Sequence, residues 1–147
     1  RVRALPADIQ EEVSRSISYE ENMIIVTNNP DVKEKYEGIR QIEFVEGGYK
    51  DVLIRVRDLI FEGHELLTHP LMGSVKPNET PYRSIAVSRH AGKMDNDNAI
   101  MIAECMQTFE KFAAMGRRDR GRNTPEWLLE DFRYIDLTLI SSAVDYH

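Results

Sequence analysis

The chain has 147 residues, of which 41% are hydrophobic and 30% charged, with a formal net charge of −6 and a single cysteine. That balance predicts one globular domain with a sizeable core and excludes the low-hydrophobicity, high-charge regime of disorder. The acidic balance argues against nucleic acid and anionic membranes as partners, no run of about 18 apolar residues predicts a membrane span, and Cys105 has no intrachain partner for a disulfide.

Leu5, Ile9, Val13 and Ile17 recur every four residues, with Pro6 near the start, so residues 1–22 read as a narrow amphipathic helix. Such a stripe is expected to dock on the main domain or on a second copy in a homodimer. The sequence up to Glu21 is too charged for a secretory signal, and with the lone cysteine this fits a cytoplasmic protein.

From Met23 the pattern changes to that of a core domain over residues 23–115. Met23 to Thr27 is a short continuous apolar run and reads as a buried strand. Asn29 followed by Pro30 reads as a helix cap with proline in the first turn, predicting a helix over residues 31–37. Ile42 to Val45 is the second predicted strand, and Gly47-Gly48 turns the chain into a helix. Its apolar face is Tyr49, Val52, Leu53, Val56, Leu59 and Ile60, and Gly63 is its expected stop. Glu65 to Thr68 is the third predicted strand and Ser84 to Ser88 the fourth, with a long loop between them. A helix from Asn96 to Ala114 follows, with Ala99, Ile102, Met106, Phe109 and Ala113 on its face.

Residues 116–147 form an arginine-rich connector and a last helix. Thr124 is its expected cap, Pro125 its first residue, and Leu128, Phe132, Ile135 and Leu139 its stripe. The alternation of strands and helices predicts a three-layer α/β fold with a mainly parallel four-stranded sheet, helices on both faces and extra helices at each end. The direction of the fourth strand is the open point, because the connection to it carries no helical pattern.

In such a sheet ligands bind beyond the carboxyl ends of the strands. The turn at Asn28, Asn29 and Pro30, the turn at Gly47 and Gly48, and the loop from His69 to Arg83 are therefore expected to meet at one edge. The loop holds three prolines and the polar residues His69, Ser74, Lys76, Asn78, Thr80, Tyr82 and Arg83. Loops of that length in a compact domain are functional or disordered, and the prolines favour an ordered binding loop.

Each candidate has a plainer reading beside the functional one. Asn29 reads first as a helix cap, and Asn28 stays open between structural and ligand roles. Gly47 and Gly48 carry no nucleotide-loop frame and read as a tight strand-to-helix turn. His69 is either an acid–base or ligand-bonding group or a brace of its own loop. Lys76 and Arg83 together read as cationic clamps on a carboxylate or phosphate. Ser74 and Lys76 are too unsupported to be a serine–lysine nucleophile pair. His64, His69, His90 and His147 have no metal-ligand spacing, so no metal site is expected, and no motif calls for a cofactor. Cys105 on an apolar helix face reads as a structural thiol. The run Arg117 to Arg122 lacks interleaved aromatics and reads as a solvated connector.

The segments I-I-V-T-N-N-P (24–30), V-E-G-G-Y-x-D-V-L (45–53) and V-R-D-L-I-x-x-G-H-x-L-L-T-H-P-L-x-G-S-V-K-P-N-E-T-P-Y-R-S (56–84) resemble the GrdX family. The resemblance covers roughly residues 23–114. It implies a cytoplasmic accessory protein associated with glycine, sarcosine and betaine reductases, without an established activity. It leaves a reductase-complex protein as a candidate partner beside a small anionic ligand. The chain has no paired thiols for the redox step itself. The alternative from the residues is a small transferase or hydrolase acting on an amino-acid derivative or phosphorylated compound.

Overall fold

The computed structural model describes residues 22–73, 79–115 and 124–145. The N-terminal amphipathic segment, Ser74, Lys76, Asn78 and the run Arg117 to Arg122 lie outside the described residues.

Strand β1 (Met23–Thr27) is the centre of the sheet and is buried along its whole length. Because strand side chains alternate in direction, Ile24 and Val26 join the core on one face while Met23 and Ile25 join the core on the other. Helix α1 (Pro30–Tyr36) follows at once. The Asn29 side chain accepts from the Asp31 amide at 3.0 Å, and Pro30 takes the first turn, where its missing N–H has no partner to lose. Strand β2 (Gln41–Phe44) then pairs parallel to β1, completing a βαβ unit.

Helix α2 (Tyr49–Phe61) buries the whole predicted face, Tyr49, Val52, Leu53, Val56, Leu59 and Ile60. Gly63 follows with φ +108°, and a side-chain carbon there would lie 1.9 Å from the Gly92 carbonyl oxygen. Only glycine fits both the left-handed backbone and that contact.

The region after Gly63 departs from expectation. Among the described residues the sheet has three strands in the order β2-β1-β3, not four mainly parallel ones. The predicted third strand, Glu65 to Thr68, makes only an isolated antiparallel bridge, Leu66 to Val87. The Leu67 amide donates to the Ala86 carbonyl and the Ser88 amide to the Glu65 carbonyl. The Ala86 amide, however, donates to the Thr68 hydroxyl at 3.0 Å, so a side chain takes the place of the next backbone acceptor. The predicted fourth strand is β3 (Ser84–Ser88), and it runs antiparallel to β1 with Thr27 opposite Ser84. A parallel neighbour needs a crossover back across the sheet, usually through a helix, whereas β3 also runs antiparallel to the bridge segment at Leu66 that precedes it. Loop 69–83 therefore ends where β1 ends.

Helix α3 (Asn96–Met115) matches its predicted span and packs against α2, with Ile102 and Cys105 buried and Phe109 stacked on Tyr49 at 5.2 Å. Helix α4 (Glu126–Val144) has Pro125 rather than Thr124 at the cap position, without a side-chain capping bond. Its buried column is Asp136, Ile140 and Val144, while Ile135 of the predicted stripe is exposed. The helix is turned from the purely apolar register by the hydrogen bonds that Asp136 makes inside. Helices α2 and α3 thus cover one face of the sheet, and α1 and α4 the other. Among the described residues no helix is long and apolar enough to cross a membrane.

Candidate functional site

The edge at which β1 ends and β3 begins is organised by Asn28. Its Nδ2 donates to the Gly47 carbonyl at 3.1 Å and to the Pro81 carbonyl at 2.7 Å, and its Oδ1 accepts from the Arg83 amide at 2.9 Å. One side chain therefore joins the turn after β2 to the end of the long loop. Both amide hydrogens and the carbonyl are engaged, so Asn28 positions the edge. The Asn29 side chain is likewise engaged: Nδ2 donates to the Arg133 carbonyl and to Asp136 Oδ2, while Oδ1 caps α1.

Beneath this edge, on the α1/α4 face, runs a directed hydrogen-bond chain. The Asn29 amide donates to Thr27 Oγ1 at 2.9 Å, the Thr27 and Ser84 hydroxyls are 2.7 Å apart, and Ser84 Oγ donates to Asp136 Oδ2 at 2.7 Å. Ser84 has one hydroxyl proton and gives it to the carboxylate, so Thr27 must be the donor to Ser84. Asp136 is 2% exposed, and its Oδ1 has no partner among the described residues. Burial holds its carboxyl above the ordinary value, opposed by the Ser84 bond, the Arg83 charge and the Asn29 bond.

Arg83 lies on the other side of the strand end. It is 2% exposed and is the largest fully buried side chain among the described residues. Nη1 donates to the Met72 carbonyl at 2.8 Å, and the guanidinium carbon is 5.2 Å from the centre of the Tyr49 ring. Arg83 forms no ion pair among the described residues, and its Nε has no hydrogen-bond partner among them. The Tyr49 hydroxyl, in a side chain 4% exposed, is unpartnered in the same way. Burial pushes its pKa up to about 12, with the Arg83 charge pulling the other way. Buried polar groups are nearly always paired, so Arg83 Nε and the Tyr49 hydroxyl stand out in having no partner among the described residues.

The remaining predicted residues are distributed as follows. Gly47 and Gly48 are exposed, and the Gly48 amide donates to Asp51 Oδ2 at 2.8 Å, which closes that donor to a phosphate. His69 is exposed and its Nδ1 accepts from the Leu71 amide at 3.0 Å, the bracing arrangement. Thr80 is buried and its hydroxyl accepts from the Tyr82 amide. The Tyr82 hydroxyl accepts from Arg133 Nη1 at 3.0 Å, and Arg133 also pairs with Glu126 and Asp31. Cys105 is buried, and burial raises its thiol to about 11, which makes it a poor nucleophile. Among the described residues no group of three or more His, Cys, Asp or Glu could hold a metal ion.

Asp136, Arg133 and the Tyr49 hydroxyl were not anticipated as parts of this edge. Asp136 does leave a trace in the sequence: Phe132, Asp136, Ile140 and Val144 recur every four residues, which puts one carboxylate in an apolar column. Tyr49 gives no such trace, because its ring alone explains its place on the apolar face of α2.

A family model described as GrdX-like protein matches residues 24–145. The match extends past the resembling segments into α4. No curated protein matches, and no solved structure matches.

Proposed function

The chain belongs to the GrdX-like family, and from that premise we propose that it is an accessory binding protein that holds a small anion at the strand-end edge. The observation that carries this reading is Arg83, a buried guanidinium without an ion-pair partner among the described residues. A buried charge is costly unless it is paired, and an anionic ligand would supply the missing partner. Lys76, on the same loop in sequence, is the expected second cation. The Asn28 bridge and the Asn29 cap hold the backbone that presents Arg83, rather than binding the ligand themselves. The family resemblance supports a cytoplasmic setting beside a glycine, sarcosine or betaine reductase, with a subunit of that system as the protein partner.

The other reading, a small transferase or hydrolase, calls for His69 beside a carboxylate as an acid–base pair. His69 Nδ1 instead accepts a backbone hydrogen bond within its own loop. Ser84, bonded to a carboxylate, is fully buried and links β3 to α4. The binding reading is therefore favoured.

A thermal-shift screen of amino acids, carboxylates, phosphates and nucleotides tests the proposal, since a ligand selective for the folded state raises the melting temperature. For a ligand found this way, Lys76→Ala should weaken binding roughly tenfold or more, the effect of losing a charge-assisted hydrogen bond of about 1.5–3 kcal/mol. Arg118→Ala should leave it unchanged. The opposite pattern would place the site elsewhere on the molecule.

A further inference from the structure

We infer that the outward face of α4, which carries Trp127, Tyr134 and Ile135, is the docking surface of the chain's own N-terminal segment. That segment, residues 1–21, lies outside the described residues. Its docking is independent of the anion-binding reading above.

The turn of the helix defines the face. The buried column of α4 is Asp136, Ile140 and Val144. Trp127 precedes Asp136 by about two and a half turns, which puts it on the opposite side of the helix. Tyr134 is about two turns beyond Trp127 and in line with it, and Ile135 and Thr138 continue the face. Trp127 is 65% exposed, Tyr134 67% and Ile135 38%, so no described element covers the two rings. Aligned exposed rings of this kind mark an interaction surface.

Polarity, length and direction identify the occupant. The stripe Leu5, Ile9, Val13 and Ile17 is a second row of apolar side chains at helical spacing, and it needs an apolar cover. At about 1.5 Å per residue, Leu5 to Ile17 spans roughly 18 Å as a helix and Trp127 to Thr138 roughly 16 Å. Helix α4 starts at the end of the sheet where β1 ends, with the Arg133 carbonyl on Asn29. It finishes at the opposite end, with the Val144 carbonyl on Arg40 just before β2. β1 begins at that second end, so residues 1–21 feed into it on the side where α4 finishes. A segment laid back over α4 from there has Ile17 towards Val144 and Leu5 towards Trp127. Ser18 to Asn22 then cross from the outer side of α4 to the sheet, with an extended reach of roughly 16 Å against a helix diameter of about 10 Å.

Charge selects this occupant over a second copy. Glu130 and Asp131 flank the rings and are exposed, while Arg133 of the same helix is engaged by Glu126 and Asp31. Two α4 faces packed about a two-fold axis would set these carboxylates against their own copies. The N-terminal segment instead brings Arg1 and Arg3 towards them, with the Trp127 ring as a further cation partner.

Trp127 is the only tryptophan, so the fluorescence of the full chain reports this face alone. Its emission should be blue-shifted and weakly quenched by acrylamide at every protein concentration. Val13→Asp puts a charge in the middle of the stripe, and should shift the emission to the red and raise the quenching constant severalfold. Glu11→Gln, on the side away from the stripe, should change neither. Tyr134→Asp alters an exposed side chain of α4, so it should fold, and it should unmask Trp127 in the same way from the receiving face. An indole as accessible in the wild type as in free tryptophan would overturn the inference. Protection that grows with protein concentration would overturn it in favour of a second copy. Unchanged quenching in Val13→Asp or in Tyr134→Asp would show that the stripe and the face do not meet, and unmasking by Glu11→Gln as strong as by Val13→Asp would show the same.

Discussion

Helix α4 is tied to α1 and the sheet by a carboxylate near its middle and another at its carboxyl end, and the two behave in opposite ways. Asp136 is buried, accepts among the described residues from the neutral donors Ser84 and Asn29, and has its pKa raised by that burial. Asp145 is partly exposed, and its pKa is lowered: burial acts upward but is outweighed by the bonds from Lys35 and Tyr36 and by the charges of Lys35 and Arg40. Around Asp145, Lys35 Nζ donates to the carboxylate and to Ser141 Oγ, while the Tyr36 hydroxyl gives its one proton to the carboxylate and so accepts from Ser141. Arg40 donates to the Val144 carbonyl, satisfying an acceptor at the end of α4. The lower junction places Lys35 and Asp145 in contact near water, with the buried Arg40 behind them, whose Nε and Nη1 have no partner among the described residues. The upper one places a desolvated charge among hydroxyls and amides and leaves Arg83, the cation whose charge acts on it, without a direct ion pair among the described residues. Polar groups at the surface can be satisfied by whatever solvent supplies, whereas the buried junction must be satisfied from within or by a ligand.

The sharpest way to break that comparison is Asp136→Ala. It orphans the Ser84 hydroxyl and one Asn29 amide hydrogen, both buried, so about 3 kcal/mol of stability should be lost in urea unfolding at roughly 1–3 kcal/mol for each unsatisfied group. A loss as small as a surface substitution's would mean that water already serves these groups. Next in size, a double-mutant cycle of Ser84→Ala with Asp136→Asn should give a coupling of about 1 kcal/mol or more, because the two share a hydrogen bond. Additive effects would show that the chain from Thr27 to Asp136 is not energetically linked.

The pH dependence sharpens the contrast further. The raised Asp136 pKa means that its ionisation opposes folding, an effect absent below the ordinary value of 3.8 and fully present above the raised one. Acidification through that window should therefore stabilise the wild type relative to Asp136→Asn. The lowered Asp145 pKa has the reverse sign: its contribution is full above 3.8 and is lost as pH falls through the lowered value. Wild type should lose its advantage over Asp145→Asn in that more acidic range. Urea midpoints measured across both windows would separate the two carboxylates, and parallel curves would refute their assignment. The smallest effect is expected for Lys35→Met, a few tenths to about 1 kcal/mol that fades with added salt, as for other exposed ion pairs.

Where an element is stabilised by its own neighbours in sequence, its residues identified it. Asn29 and Pro30 start α1, Gly63 stops α2, and the apolar face of α2 is buried residue for residue as its spacing implies. The turn at Asn28 and the loop ending at Arg83 could be expected at one edge because strand–helix alternation puts turns there, and hydrogen bonds between them are present. The direction of β3 was not legible, since strand periodicity is the same in either direction and the sequence of 69–83 carries no helical pattern. Where the expected third strand would continue, the Thr68 hydroxyl accepts from the Ala86 amide in place of a backbone carbonyl. The register of α4 was misjudged because an apolar stripe outweighs an aspartate in any pattern, while the structure surrounds that aspartate with donors.

The sequence by itself determined the family, the α/β class, the first βαβ unit, the two helices of the apolar face and the identity of the edge loop as the unusual segment. These depend on local spacing, capping and turn chemistry, which act between residues close in the chain. Only the tertiary structure decided that Asn28 joins two turns, that Asp136 faces inward, and that Arg83 Nε and the Tyr49 hydroxyl lack hydrogen-bond partners among the described residues. Those outcomes depend on which side chains meet across long chain separations and on how much water burial removes, and neither quantity is written in the spacing of residues along the chain.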